Sequence, residues 1–157
     1  MVTVQVSVYI SRPVNEVFAY MGDPTNVPEW NPMIEDARPS ETPLRVGTRV
    51  HLLLKFLGRK IEPTLEIVEH EPNSRIAHTF DKPFKGKVTE RYEDEGGGTR
   101  VVQVFEVDPG GFFRVAEPVA ARIFQKQSQA CLDTVREILE ARAPVEDFRS
   151  FNQVRPG

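Results

Sequence analysis

The sequence predicts an α+β fold in which an antiparallel sheet closes around one long helix. Three observations support this: a strand-like run over residues 2–10, about six further strand-like segments between residues 33 and 107, and an amphipathic stretch over 115–142. A lone helix after a long antiparallel run must bury its apolar side against the sheet, since no comparable helix is present to pack on it. A strongly twisted sheet can leave a cavity between sheet and helix, so we expect a cup that binds a small molecule.

Length and composition fit one soluble globular domain. The chain has 157 residues, of which 39% are hydrophobic and 27% charged. Its formal charge of −3 argues against a generally basic, nucleic-acid-binding surface. The single cysteine, Cys131, allows no internal disulfide, and we interpret it as a small buried hydrophobe. We find no run of about 18 apolar residues and no signal-peptide pattern, so we expect a cytoplasmic protein without integral membrane association.

The N-terminal part reads as a strand and two short helices. Valines and Ile10 alternate with polar residues over 2–10, which is the period of a strand with one wet face. Pro13 suits a first helical turn, and the stripe that follows is Val14, Val17, Phe18 and Met21. The segment 22–24 ends this helix, and the closely spaced prolines allow only one more short helix, Thr25 to Trp30.

Strands and turns make up the middle of the chain. The candidate strands are 33–37, 48–57, 61–67, 75–80, 85–93 and 99–107. Turn residues separate them, notably Gly58-Arg59, 72–74 and the glycines 96–98, while Pro63 suggests an edge or a bulge.

The final helix is predicted over about 115–142, with Pro118 tolerated in its first turn or so. We place its apolar stripe by spacings of one, three and four residues. The stripe comprises Val119, Ile123, Phe124, Gln127, Ala130, Cys131, Val135 and Ile138. Residues 144–157 lack a helical period, and we treat them as a tail.

Three motifs follow one another along the chain: 8–18 (VYISRPVNEVF), 28–32 (PEWNP) leading to Gly47, and 97–101 (GGTRV). In this order they resemble the SRPBCC or START-like superfamily, in its polyketide cyclase/dehydrase-type branch. The resemblance covers about residues 2–142. It implies a helix-grip fold: a seven-stranded antiparallel sheet gripping the last helix, with two short helices closing one end. We therefore expect one ligand-binding domain over 1–143. The superfamily uses this fold for carriers, receptors, cyclases and regulators, so the resemblance says little about activity.

Strand alternation sorts the side chains that would line the cup. Most inward positions are apolar, and four polar ones interrupt them on neighbouring strands: His78, Glu90, Tyr92 and Gln103. Gln127 could meet them from the helix. The apolar candidates are Phe18, Trp30, Leu54, Phe56, Phe80, Phe105 and Phe124.

Structural alternatives remain open for these residues. His78 could be a satisfied core histidine or face outward, Glu90 could reverse faces at a bulge near Gly86, and the Tyr92 hydroxyl could lie at the rim. We favour packing or a lid role for Trp30 over ligand recognition. The pair Phe112-Phe113 is read as a staple, or else as a mobile flap at the mouth.

Metal and cofactor sites are not predicted. His51 and His70 alternate with inward residues and should face solvent, so the three histidines lack metal-ligand spacing. We predict no cofactor.

Three functions fit this pattern. The leading one is binding of a hydrophobic small molecule or lipid, as a carrier or sensor. An alternative is a cyclase or dehydratase in which His78 or Glu90 moves a proton. Against it, the resemblance implies inward arginine or tyrosine in such cyclases, and the alternation leaves only Tyr92 inside. The third is a regulatory interaction module using the outer surface or the tail, which could also lie over a neighbouring copy in a homodimer.

Overall fold

The computed structural model describes residues 2–108, 110 and 117–142, which form one sheet and three helices. The strands are β1 (Val2–Ile10), β2 (Ile34–Pro39), β3 (Arg49–Phe56), β4 (Arg59–Ile61), β5 (Thr64–Glu71), β6 (Arg75–Phe80), β7 (Lys85–Glu95) and β8 (Gly98–Asp108). The helices are α1 (Val14–Met21), α2 (Val27–Trp30) and α3 (Glu117–Ala141), and a short 3-10 turn, Pro24–Asn26, precedes α2.

The sheet confirms the predicted architecture. Seven strands follow the antiparallel order β1-β8-β7-β6-β5-β3-β2, and the short β4 pairs with β3 beside this path. The candidate strand 61–67 is in fact two strands, because Pro63 between Ile61 and Thr64 has no N–H to donate to a ladder.

Strand register places the predicted inward side chains on one face. Across the middle of the sheet, Ile67 pairs with His78, His78 with Val88, Val88 with Phe105, and Phe105 with Val4. Residues directly opposite each other in a ladder share a face. All five of these side chains therefore point to the same side as the helices that pack on the sheet.

The short helices and the end of α3 close one end of the molecule. Arg12, in the turn between β1 and α1, donates to the backbone carbonyls of Glu140 (3.1 Å) and Arg142. The backbone N–H of Ser11 donates to the Glu140 carboxylate at 3.0 Å. These contacts satisfy carbonyl groups that a helix C-terminus leaves without partners, and they fix α3 to this end.

The buried side of α3 agrees with the predicted stripe only in part: Val135 is buried and Phe124, Cys131 and Ile138 pack against the core, but the other predicted members do not. Ser128, Leu132, Val135 and Leu139 are buried, whereas Val119 and Ile123 are 65% and 55% exposed. Gln127 and Ala130 are exposed as well. Successive helical residues are rotated by about 100° around the helix axis. The buried side is therefore centred on Ser128 and Leu132, and Gln127 lies about 100° away from it. None of the described helices is long and apolar enough to cross a membrane.

Two buried clusters stabilise the fold, one near each end of the strand order. The larger joins β1, β8, α1, α2 and α3 and includes Ile10, Val17, Val101 and Leu132, each fully buried. The smaller consists of Ala37, Val50 and Leu52 on β2 and β3. The inward faces of β5, β6 and the first half of β7 lie between these clusters. Predictions for residues 111–116 and for the tail concern residues outside the described ones.

Candidate functional site

A buried polar group lies on the inward face where β7 and β8 pair. Glu90 stands opposite Gln103, and its carboxylate oxygen Oε2 accepts two hydrogen bonds. Gln103 donates through Nε2 and Tyr92 through its hydroxyl, each at 3.2 Å. All three side chains are buried, so the alternatives that turned Glu90 or Tyr92 towards solvent do not apply.

Two histidines extend this group along the sheet. His78 faces inward on β6, opposite Val88, and is half-buried. His70, expected to face solvent, also lies inward, because the register shifts between Ile67 and Glu69 and turns the following residues over. His70 is half-buried and stands opposite Ile76. Its ring packs against the Phe18 ring, with 5.7 Å between the two ring centroids. Phe18 also contacts Tyr92 at 5.0 Å, so α1 closes over the two polar rings.

We call His70, His78, Glu90, Tyr92 and Gln103 the inner polar patch. Adjacent apolar residues in the sequence, Ile67-Val68, were the available signal for the bulge that brings His70 into it. Gln127 does not join the patch: its side chain is exposed on α3 and makes no hydrogen bond with the described residues. The α3 residue that faces the sheet here is Phe124, whose ring contacts Phe105 at 4.8 Å.

The apolar candidates fall into two groups. Trp30 belongs to the larger cluster and is 6% exposed. Phe18, Phe105 and Phe124 are partly buried and pack against that cluster. Leu54, Phe56 and Phe80 face inward but remain half-buried, and they belong to neither cluster of the described chain. The inward face near β3 and β6 is therefore apolar without being filled by α3.

Phe80 shows how the chain keeps space on this face. It stands opposite Gly86, and a Cβ atom on Gly86 would lie 2.4 Å from the Phe80 ring. The glycine thus lets the ring lie against the sheet instead of projecting towards α3.

Burial shifts the ionisation of Glu90 and His78 towards their uncharged forms. Desolvation raises the pKa of Glu90 to about 7, although the hydrogen bonds from Gln103 and Tyr92 oppose the shift. Desolvation alone lowers the pKa of His78 to about 4. Near neutral pH the patch contains an imidazole without charge and a carboxyl group that can hold a proton.

His78 combines partial accessibility with strong desolvation. Its side chain is half-buried on the inward face of β6, and desolvation lowers its pKa. No group of three or more His, Cys, Asp or Glu side chains able to hold a metal occurs within residues 2–108, 110 and 117–142.

A family model described as "Polyketide cyclase / dehydrase and lipid transport" matches residues 1–140. A search of curated proteins gave no match.

Solved structures share this fold at low sequence identity. TTHA0849 from Thermus thermophilus superposes with a TM-score of 0.77 at 20% identity, covering 90% of this chain and 100% of its own. A START superfamily protein from Mycobacterium smegmatis gives 0.71 at 14%, covering 88% and 97%. Protein NE0264 from Nitrosomonas europaea gives 0.70 at 17%, covering 88% and 94%. At these identities the structures establish the fold.

Proposed function

The chain belongs to the polyketide cyclase/dehydrase and lipid transport family and has a START-type fold. We propose that it is a hydrophobic ligand-binding domain that acts without catalysis as a carrier or sensor. Its ligand would be a hydrophobic small molecule or lipid held between the sheet and α3. One observation carries this proposal: inward side chains between the two buried clusters stay half-buried, although the closed end of the molecule is fully packed.

The chemistry of this wall supports an apolar ligand. Leu54, Phe56 and Phe80 offer apolar area, which gains roughly 25 cal/mol for each Å² removed from water. The inner polar patch lies beside them and would orient one polar group of the ligand. Few polar groups in a mostly apolar cavity are typical of small-molecule sites.

Dye binding by matched variants tests the proposal. Nile red, an uncharged apolar dye, should bind the protein and gain fluorescence. His78→Trp should reduce the bound dye severalfold by filling the inward face, while Thr79→Trp, on the outward face of the same strand, should leave binding unchanged. No dye binding by the unmodified protein, together with equal behaviour of the two variants, would contradict the proposal.

A second candidate is an enzyme of the cyclase or dehydratase type. The observation that favours it is Glu90, because a buried carboxyl group with a pKa of about 7 is suited to proton transfer near neutral pH. Tyr92 and Gln103 would hold its carboxylate in place. Turnover of a polyketide-like substrate should fall at least about a hundredfold in Glu90→Gln if this role is real. Unchanged turnover in that variant would remove Glu90 from any mechanism.

A further inference from the structure

The inner polar patch has hydrogen-bonding atoms that the protein leaves unused. Oε2 of Glu90 is occupied, but Oε1 of Glu90, Oε1 of Gln103 and the ring nitrogens of His78 form no hydrogen bond with the described residues. None of these atoms is among the enclosed, unpartnered side-chain atoms of the described chain. They belong to side chains on the inward face of the sheet, where a bound ligand could form hydrogen bonds with them.

The patch also contains no lysine or arginine side chain. Among the described residues, the inward faces of β5 to β8 carry no lysine or arginine. Arg75 faces outward and forms an ion pair with Glu69 at 2.8 Å, and Arg100 lies over the outward Tyr9 ring at 5.4 Å. Arg59 on β4 is exposed at a hairpin end.

This combination discriminates between classes of ligand. An ionised carboxylate or phosphate is strongly destabilised when it enters a desolvated site that contains no cation. A carbonyl or hydroxyl group carries no charge to desolvate. A protonated Glu90 can donate a hydrogen bond to its oxygen, and Oε1 of Gln103 can accept one from a hydroxyl. Of the described titratable side chains near Glu90, Tyr92 has a raised pKa and desolvation lowers the pKa of His78 to about 4, so neither supplies a positive charge near neutral pH.

We propose that the cup selects uncharged apolar molecules bearing a carbonyl or hydroxyl group and rejects anionic lipids. The inference rests on the proposed function, since it names the class of ligand that the same cavity takes.

Three probes of equal chain length test this selection. Dodecan-2-one, dodecan-1-ol and dodecanoate are compared as competitors of bound Nile red at about pH 6, where the fatty acid is largely ionised. We expect the ketone and the alcohol to compete at concentrations about tenfold or more below dodecanoate, which corresponds to about 1.4 kcal/mol. Equal or tighter binding of dodecanoate overturns the inference while leaving hydrophobic binding intact. Failure of all three probes and of the dye overturns the proposed function and the inference together.

Variants locate the selection in the patch. His78→Lys places a cation on the inward face and should raise the relative affinity for dodecanoate severalfold, whereas Thr79→Lys, facing outward, should not. Should His78→Lys fail to fold, Glu90→Leu against Glu90→Gln gives an independent answer. The leucine should abolish most of the preference for the ketone over dodecane, and the amide should retain it. A preference that survives in Glu90→Leu would overturn the role of the patch.

Discussion

The two ends of α3 meet the same sheet in different ways. Towards its C-terminus, Leu132, Val135 and Leu139 are fully buried in the larger cluster. Towards its N-terminus, Ala121 and Phe124 on the same side of the helix are only half-buried, and the sheet residues Phe56 and Phe80 remain half-buried as well. The difference indicates that one end of the helix stabilises the fold and the other leaves room for a ligand.

Replacing one leucine in the packed region and one in the half-buried region should give the largest difference in stability. Leu132→Ala removes a fully buried side chain and should lower the free energy of unfolding by about 2–5 kcal/mol. Leu54→Ala, on the half-buried inward face, should cost less than about 1.5 kcal/mol, because its contacts are incomplete. Urea unfolding measures both, and equal losses would contradict the idea that the interior near Leu54 is unfilled.

The pH dependence of stability should sharpen the contrast within the patch. The folded pKa of Glu90 is raised to about 7, so the unfolded chain releases this proton first and stability falls as pH rises from about 4.5 to 7. The folded pKa of His78 is lowered to about 4, so stability rises with pH between about 4 and 6.5. Each effect amounts to at most about 3 kcal/mol, and they oppose each other over most of this range.

Neutral substitutions separate the two contributions. In Glu90→Gln only the His78 contribution remains. The free energy of unfolding of this variant should therefore rise with pH relative to that of the unmodified protein. In His78→Asn only the Glu90 contribution remains, and the free energy of unfolding should fall with pH relative to that of the unmodified protein. Chemical unfolding at a series of pH values measures both. Parallel pH profiles for the two variants would show that these groups are not desolvated as the structure indicates.

Filling the space beside Phe80 should destabilise the protein less than truncating Leu132 does. Gly86→Ala places a methyl group against the ring, which must turn into the interior at a cost of about 1–3 kcal/mol. Nile red affinity should fall because the displaced ring occupies ligand space, and adding Phe80→Leu should restore it. Unchanged dye binding in Gly86→Ala would place the ligand elsewhere.

Local pattern predicted most of the fold. Alternation in β1 and β3 gave the correct faces, because one side of an antiparallel strand is buried and the other is wet. Gly58-Arg59 and Pro63 marked real breaks around β4, although the separation of β4 from β5 was not expected.

The errors arose where tertiary packing overrides pattern. His70 was assigned to the wrong face because one extra residue at Val68 reverses everything after it. Gln127 was assigned to the buried stripe because the apolar Val119 and Ile123 suggested its position, but the packed side of α3 centres on Ser128 and Leu132. The domain boundary at 143, the tail and a homodimer stay predictions.

The histidine rings provide the most direct test of the central claim, that the space between α3 and the middle of the sheet receives an apolar ligand. The chain has three histidines. His70 and His78 face that space, while His51 is exposed and bonds to Thr64 at 3.0 Å. Histidine-ring NMR spectra recorded while dodecan-2-one is added should show shifts of the His70 and His78 signals and an unchanged His51 signal. Ligand-dependent shifts confined to His51, or absent from all three rings, would contradict the account.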